Sequence, residues 1–444
     1  MKKIITLLAL MLCVFATAQE NLDGEYMYIF HSNKNIERIS IAEIDSVTFA
    51  EPEQIAYVGL PKVYIVTPEG VGITSKTEWL ENCSVRIVDE CGVENLNATA
   101  SVKGRGNTTW NVYPKKPYAI KLESKSVVLG MPRHKRWVLL ANWMDRTLLR
   151  NDVSFEMARR IMDWAPRGRF VELYLNGEHQ GNYYLCEQIK VDKNRVDIDE
   201  LKENSDFTDK SQITGGYILE YDQNGPYDEI NYFYSQVQNY PVTIKEPDEE
   251  VITSWEHPGY LYIQGFVNDL EQLFEADKGN LQRWSEIEEL IDVRSYIDWW
   301  LVHELAYNGE AMHPKSCYMY KARNGKLYAG PVWDFDYGTF SPNSNRLLLL
   351  SLLYYKYLFQ YPEFKLAVKK RWAEVDDTLA DVDGYILKQA ELIRASNEVN
   401  ISKWPITQFI NRDEKMAFDD ANENMRAVLK NRIKIVGDYI SSLN

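Results

Sequence analysis

The sequence predicts an α+β protein of two lobes, with a β-rich N-terminal half, a helical C-terminal half and a small β-module ahead of both. Three observations lead there. Residues 56–125 carry period-two patterning or short apolar runs in "PKVYIVTP", "CSVRIVDE", "ATASVKGRG" and "PYAIKLES", separated by turn residues. From about residue 253 apolar residues recur at helical spacing, as in "YLYIQGFVNDLEQLFEA" and "SYIDWWLVHELAYN". One strand–turn–strand segment, "SCYMYKARNGKLYAGPVWDFD", interrupts the helical half. A run of strands followed by a run of helices is the α+β order.

Bulk properties bound the function classes. At 444 residues the chain suits one large or two unequal domains, and 45% hydrophobic with 13% aromatic residues is ample for a core rather than a disordered chain. Lys2-Lys3, the apolar run "IITLLALMLCVFAT" and Ala16-Thr17-Ala18 before Gln19 read as a Sec-type signal peptide over residues 1–18. Export to the periplasm, cell surface or medium is therefore expected. Removing those residues takes away two lysines, so the net charge moves from −15 to −17. That surplus weighs against nucleic acid as a partner, and any phosphate site must be a local basic cluster. The run "LLLLSLLYY" at 347–355 is too short to span a bilayer, so no transmembrane segment is expected in the mature chain. Cys83, Cys91, Cys186 and Cys317 lack the spacing of a zinc site, although Cys83 and Cys91 bracket "SVRIVDE" as a hairpin staple would.

The elements follow in order. Residues 19–55 hold the small module, alternating strands around an Asn/Lys/Asn turn and then an "EPEQ" linker. The main domain runs over 56–444, its first lobe at about 56–222 and its second at about 253–444. In "WMDRTLLRNDVSFEMARRIM" (143–162) the apolar residues fall at helical spacing behind Asp145 as N-cap. "RFVELYL" and "QGNYYLCEQI" flank Asn176-Gly177, a strong hairpin signal. "GGYILEYD" (215–222) is another strand, and the polar, Pro- and acid-rich stretch 223–250 reads as a surface loop.

Four constellations carry chemistry. In "SVKGRGNTTWNVYPKKPYAIKLESK" (101–125), Gly104 and Gly106 flank Arg105 among lysines, so backbone amides can approach a phosphate while Lys121 on the next strand reaches its oxygens. A plain glycine turn with solvated lysines is the competing reading. Glu187, Gln188 and Ile189 leave a buried strand where backbone groups can meet a planar base edge; an edge strand leaving the sheet is the alternative. In "HELAYNGEAMHPKSCYMYK", Glu310 and Lys315 occupy a polar loop entering a strand, while His303 reads as a core histidine and no zincin motif is present. Asp334 and Asp336 offer hard oxygen ligands to Mg²⁺, Mn²⁺ or Ca²⁺, or else cap a turn and pair with an arginine.

The order of these parts is that of a protein kinase. The stretches "VKGRGNTTW…PKKPYAIKL", "KRWVLLANWMDRTLLRND", "VELYLNGEHQGNYYLCEQI", "GGYILEYD" and "YIDWWLVHELAYNGE…KSCYMYK…GKLYAGPVWDFDYGTF" resemble the CotH kinase family, in family order over about residues 100–340. The resemblance implies an atypical protein-kinase-like two-lobed fold that binds ATP and Mg²⁺ or Mn²⁺ and phosphorylates Ser or Thr of an exported or surface protein. It implies Lys121, with Arg105 nearby, at the phosphates, Glu187 to Ile189 as the hinge and Asp334 with Asp336 at the metal. The chain departs from the family where Asn-x-Asp is common: it has Asn308-Gly309-Glu310, with Lys315 where a metal-binding Asn is common. The extra methylene of Glu310 shifts its carboxylate by more than about 1 Å from the place of an Asp. Lys315 is open to two readings, a fixed cation for the transferred phosphoryl group or the mark of a weakened metal site. The rival function is a catalytically silent, pseudokinase-like surface protein that binds a protein or glycan.

Overall fold

The computed structural model describes residues 59–225, 231–341 and 345–444, and ahead of them the strands β1 (Tyr26–Phe30) and β2 (Ile36–Ser40). These two pair antiparallel, Tyr26 opposite Ser40, as the expected module requires. The signal-peptide segment 1–18 and the linker lie outside the described residues.

The β-rich half is a closed barrel. Its strands are β3 (Lys62–Val66), β4 (Leu80–Val88), β5 (Glu94–Gly104), β6 (Tyr118–Val128), β7 (Met131–Leu140), β8 (Gly168–Leu175) and β9 (Glu178–Glu187), in the order β3-β4-β5-β6-β7-β9-β8. The parallel pairing of β3 with β8, Lys62 opposite Glu172 and Ile65 opposite Leu175, closes the ring. Alternation does the packing: Val63 and Ile65, Val85 and Ile87, Ile120 and Leu122 point inward around Trp137. Each such side chain fully removed from water contributes about 1.5–3 kcal/mol. Asn176 and Gly177 have φ of 51° and 84°, the conformation of a two-residue primed hairpin turn. Gly168 opens β8 beneath the Tyr184 ring, where a Cβ would sit 2.4 Å from the ring carbons.

Helix α1 (Arg150–Ile161) leaves the barrel between β7 and β8. It starts five residues after Asp145, which was expected to cap it directly. The Asp145 carboxylate instead accepts from the N–H groups of Thr147 (2.9 Å) and Arg150 (2.8 Å), holding the intervening turn and satisfying the first helical donor.

A second sheet, not foreseen as a unit, has the order β11-β12-β10-β13-β14. It joins β10 (Tyr217–Tyr221), β11 (Tyr232–Tyr234), β12 (Pro241–Glu246), β13 (Cys317–Lys321) and β14 (Leu327–Ala329). The "GGYILEYD" strand therefore pairs with the late hairpin, Leu219 opposite Met319, and not with the barrel. The stretch 223–250 is correspondingly more than a loop, since it supplies β11 and β12. Helices α2 (Pro258–Asp277), α3 (Trp284–Leu290), α4 (Val293–Leu305), α5 (Pro362–Ala380), α6 (Val382–Lys403) and α7 (Phe418–Ser442) complete the C-terminal half and share one apolar core with this sheet. Among the described residues no helix is long and apolar enough to cross a membrane. The Cys83–Cys91 staple does not form: Cys83 is a free thiol buried inside the barrel.

Candidate functional site

A cavity of about 1200 Å³ opens between the outer face of the barrel and the C-terminal half. It brings together five of the residues expected to act: Arg105, Glu310, Lys315, Asp334 and Asp336. Lys121, Glu187 and Ile189 do not line it.

The barrel wall carries the cations. Lys103 lies on β5 opposite Ala119, and both residues line the cavity. Lys121 is on the same face of β6 one step further out, opposite Ser101, and is exposed. Lys103 is the cation that the β5 register puts on the cavity wall, and burial lowers its pKa. Arg105 follows in the glycine loop with its guanidinium 5.1 Å from the centre of the Trp333 ring. The two glycines serve different ends. Gly104 lies under the Trp110 indole, where a Cβ would come within 2.3 Å, so packing requires it; Gly106 has φ +80° and turns the loop.

At the end of β9 the hinge-like residues are partly committed. Glu187 is fully buried and holds Arg167 through two side-chain bonds of 2.8 Å. The Gln188 carbonyl accepts from Arg195 at 2.6 Å, and Ile189 packs against the main core. Gln188 also lines the cavity, and its side-chain Oε1 is buried without a hydrogen-bond partner.

The opposite wall carries the acids. β14 ends at Ala329, so the two aspartates are not on a strand; Asp334 has φ +66°, a strained conformation for a non-glycine residue. The surrounding contacts fix that segment. Asn151 of α1 accepts from the Phe335 N–H (2.8 Å) and donates to Asn142 (3.1 Å). Asn411 accepts from the Gly338 N–H (2.7 Å) and donates to the Asp336 carbonyl (2.9 Å). Arg150, bonded to Asp145 and Asp413, donates to the Thr339 carbonyl at 3.1 Å. Ser316 Oγ donates to Asp334 Oδ2 at 3.3 Å. Sequence reasoning missed Asn151 and Asn411; the only signal for Asn151 was an amide on the buried face of a helix.

Glu310 sits in a short turn whose first N–H groups, its own and that of Ala311, donate to Asn308 Oδ1 at 3.0 and 3.3 Å. Its carboxylate is bonded to Lys315 Nζ. Burial, then the Asp334 carboxylate, pushes Glu310 up to about 8, against the opposing pull of Lys315. Asp336 is held well above the usual carboxylate range by burial, then by Asp334 and Glu310. Asp222, also lining the cavity, is pushed up to about 6, chiefly by burial. Crowded carboxylates that retain protons are the signature of a place where a cation is welcome. Among the described residues no three His, Cys, Asp or Glu side chains are arranged as a metal cage. The donor set still fits Mg²⁺, which is ordinarily held by one or two carboxylates and completed by water and phosphate oxygens.

His303 is a core residue as expected, between the rings of Trp299 (3.9 Å) and Phe335 (4.9 Å), with burial lowering it to about 3.

A comparison with curated proteins gives no match. The family described as CotH kinase protein matches residues 102–436, a span that includes every residue of the cavity wall named above, and the chain belongs to that family.

Proposed function

We propose that the protein is an exported phosphotransferase that moves the γ-phosphoryl group of ATP, with Mg²⁺ or Mn²⁺, to a serine or threonine hydroxyl of an exported or surface protein. One observation carries this reading: a single large cavity has the cation-bearing glycine loop on one wall and Asp334, Asp336 and Glu310 on the other. The barrel and the helical half then act as the two lobes of a kinase-like fold, with the cleft between them.

The roles follow from position. Ala119 and Ile244 form apolar walls for a base, and the Gln188 amide offers it a hydrogen-bonding edge. Arg105 and Lys103 meet phosphate oxygens, with Lys121 one step beyond them on the same sheet face. Glu187 secures the strand end through Arg167. Asp334 and Asp336 hold the divalent ion, which supplies neutralisation of charge on the phosphate oxygens when bound. Glu310 orients the acceptor hydroxyl and takes its proton on the carboxylate oxygen that does not contact Lys315; a pKa raised toward neutrality suits that task.

The engagement of Glu310 by Lys315 favours a second reading, in which the cleft of a catalytically silent surface protein binds a protein or glycan. The two readings separate in one experiment on residues 19–444. ATP binding is measured by calorimetry with and without Mg²⁺, and autophosphorylation is followed with labelled ATP, in wild type and Asp334→Ala. Mg²⁺-dependent binding and transfer, both lost in the variant, are expected. Binding without transfer selects the silent reading, and no ATP binding by the wild type removes the phosphotransferase.

A further inference from the structure

We propose that Lys315 is a resident cation occupying one of the two positive positions of the phosphoryl-transfer site, so that nucleotide loads with one divalent ion. The inference rests on the phosphotransferase reading above. Protein kinases neutralise the transferring group with two divalent ions held by acidic and amide ligands. Here Asp222, Glu310, Asp334 and Asp336 line one cavity, and a protein ammonium is already among them.

Lys315 is not a lysine loose on a loop. Its side chain is 25% exposed, bonded to the Glu310 carboxylate, and its Nζ lies 5.6 Å from the centre of the Tyr337 ring. The next residue, Ser316, donates to Asp334 Oδ2 at 3.3 Å, which ties the lysine's backbone to the metal-type aspartate. Through its bond to Glu310, Lys315 places a positive charge among the acids that line the cavity. An ammonium has three donors and no acceptor, so it cannot ligate a metal ion, and its charge repels one. It can donate to a phosphate oxygen directly, supplying the charge of the missing ion from the chain itself. Asp334 and Asp336 remain for a single ion completed by phosphate oxygens.

The test counts ions rather than turnover. Mn²⁺ bound per chain is measured by electron paramagnetic resonance with a saturating non-hydrolysable ATP analogue, in wild type, Lys315→Asn and Lys315→Met. One Mn²⁺ is expected in the wild type and two in Lys315→Asn, where an amide oxygen replaces the ammonium. Lys315→Met, with neither charge nor ligand, is expected to keep one ion and bind the analogue about tenfold more weakly, the weight of a single charge-assisted contact. Two ions or none in the wild type, one in Lys315→Asn, or unchanged analogue affinity in Lys315→Met would overturn the proposal. Failure of the wild type to bind the analogue at all removes the phosphotransferase reading instead, so the two failures are distinct. Circular dichroism of each variant establishes that the count is made on folded protein.

Discussion

Two clusters in this molecule share their ingredients and differ in construction. Around Arg150, one guanidinium meets two carboxylates, Asp145 and Asp413, and a backbone carbonyl, all packed away from water. Around Lys315, one ammonium meets Glu310 with Asp222, Asp334 and Asp336 close by, and all of them line an open cavity. The first is nearer to electrical balance, one cation to two carboxylates, and is closed off from water by the fold. The second carries an excess of negative charge that the fold leaves for something else to neutralise. Buried charge is stabilising only when it is matched, so an unmatched cluster marks a site and a matched one marks a scaffold.

That contrast can be broken in several ways. The largest effect is expected from Asp334→Ala, with Mg²⁺-dependent transfer falling by about 10²–10³-fold while the melting temperature holds or rises. A fall in melting temperature as large as that of a core variant would show that the acid cluster is scaffold after all. Next comes Arg150→Met, which strands two buried carboxylates and should destabilise by about 3–5 kcal/mol in urea titration. A neutral outcome would remove the matched cluster from the comparison. Asn411→Ala removes the contacts to Gly338 and Asp336 from outside the site; destabilisation of about 1–3 kcal/mol is expected, together with weaker nucleotide binding. Asp336→Asn relieves repulsion and should raise stability by about 1 kcal/mol as it removes function, a trade the scaffold cluster cannot show.

The smallest expected effect separates the site from the histidine behind it. His303 has its pKa lowered to about 3 in the fold, against an ordinary value near 6.5. The unfolded chain therefore binds the extra proton first, and this contribution to stability, present above the ordinary pKa, is lost as the pH falls from about 6.5 toward 3. The slope approaches about 1.4 kcal/mol per pH unit in that window. Denaturant midpoints in His303→Gln should lose part of that acid sensitivity, and an unaltered pH profile would exclude His303 as its source.

Local signals in the sequence translated directly into structure. Asn176-Gly177 named its own turn because its conformation is decided by two residues. Arg105, Glu310, Lys315, Asp334 and Asp336 stood out in the sequence as charged residues beside apolar strands, and the structure lines one cavity with them. Pairings between distant segments were not legible. β3 closes the barrel on β8 more than a hundred residues later, and β10 finds β13 across the whole of α2 to α4. Polar and proline residues around β11 and β12 masked two strands, although these pair with each other and β12 with the neighbouring β10. Lys121 was read as the phosphate lysine from its place on the strand after the glycine loop, whereas the register puts Lys103 on the cavity wall. Asn151 and Asn411 stayed hidden for the same reason: each holds the Asp334–Asp336 segment from 184 and 75 residues away.

The bond from Asn411 also sets a sequence in time. A chain made from its N-terminus can close the barrel and pack β10 against β13 before residue 411 exists. The turn bearing the two aspartates, strained at Asp334, is held early in the sequence by Asn151 and gains its last contacts from Asn411. A chain that ends before residue 411 lacks the contacts that hold Gly338 and the Asp336 carbonyl, so the acid wall depends on a residue near the far end of the sequence.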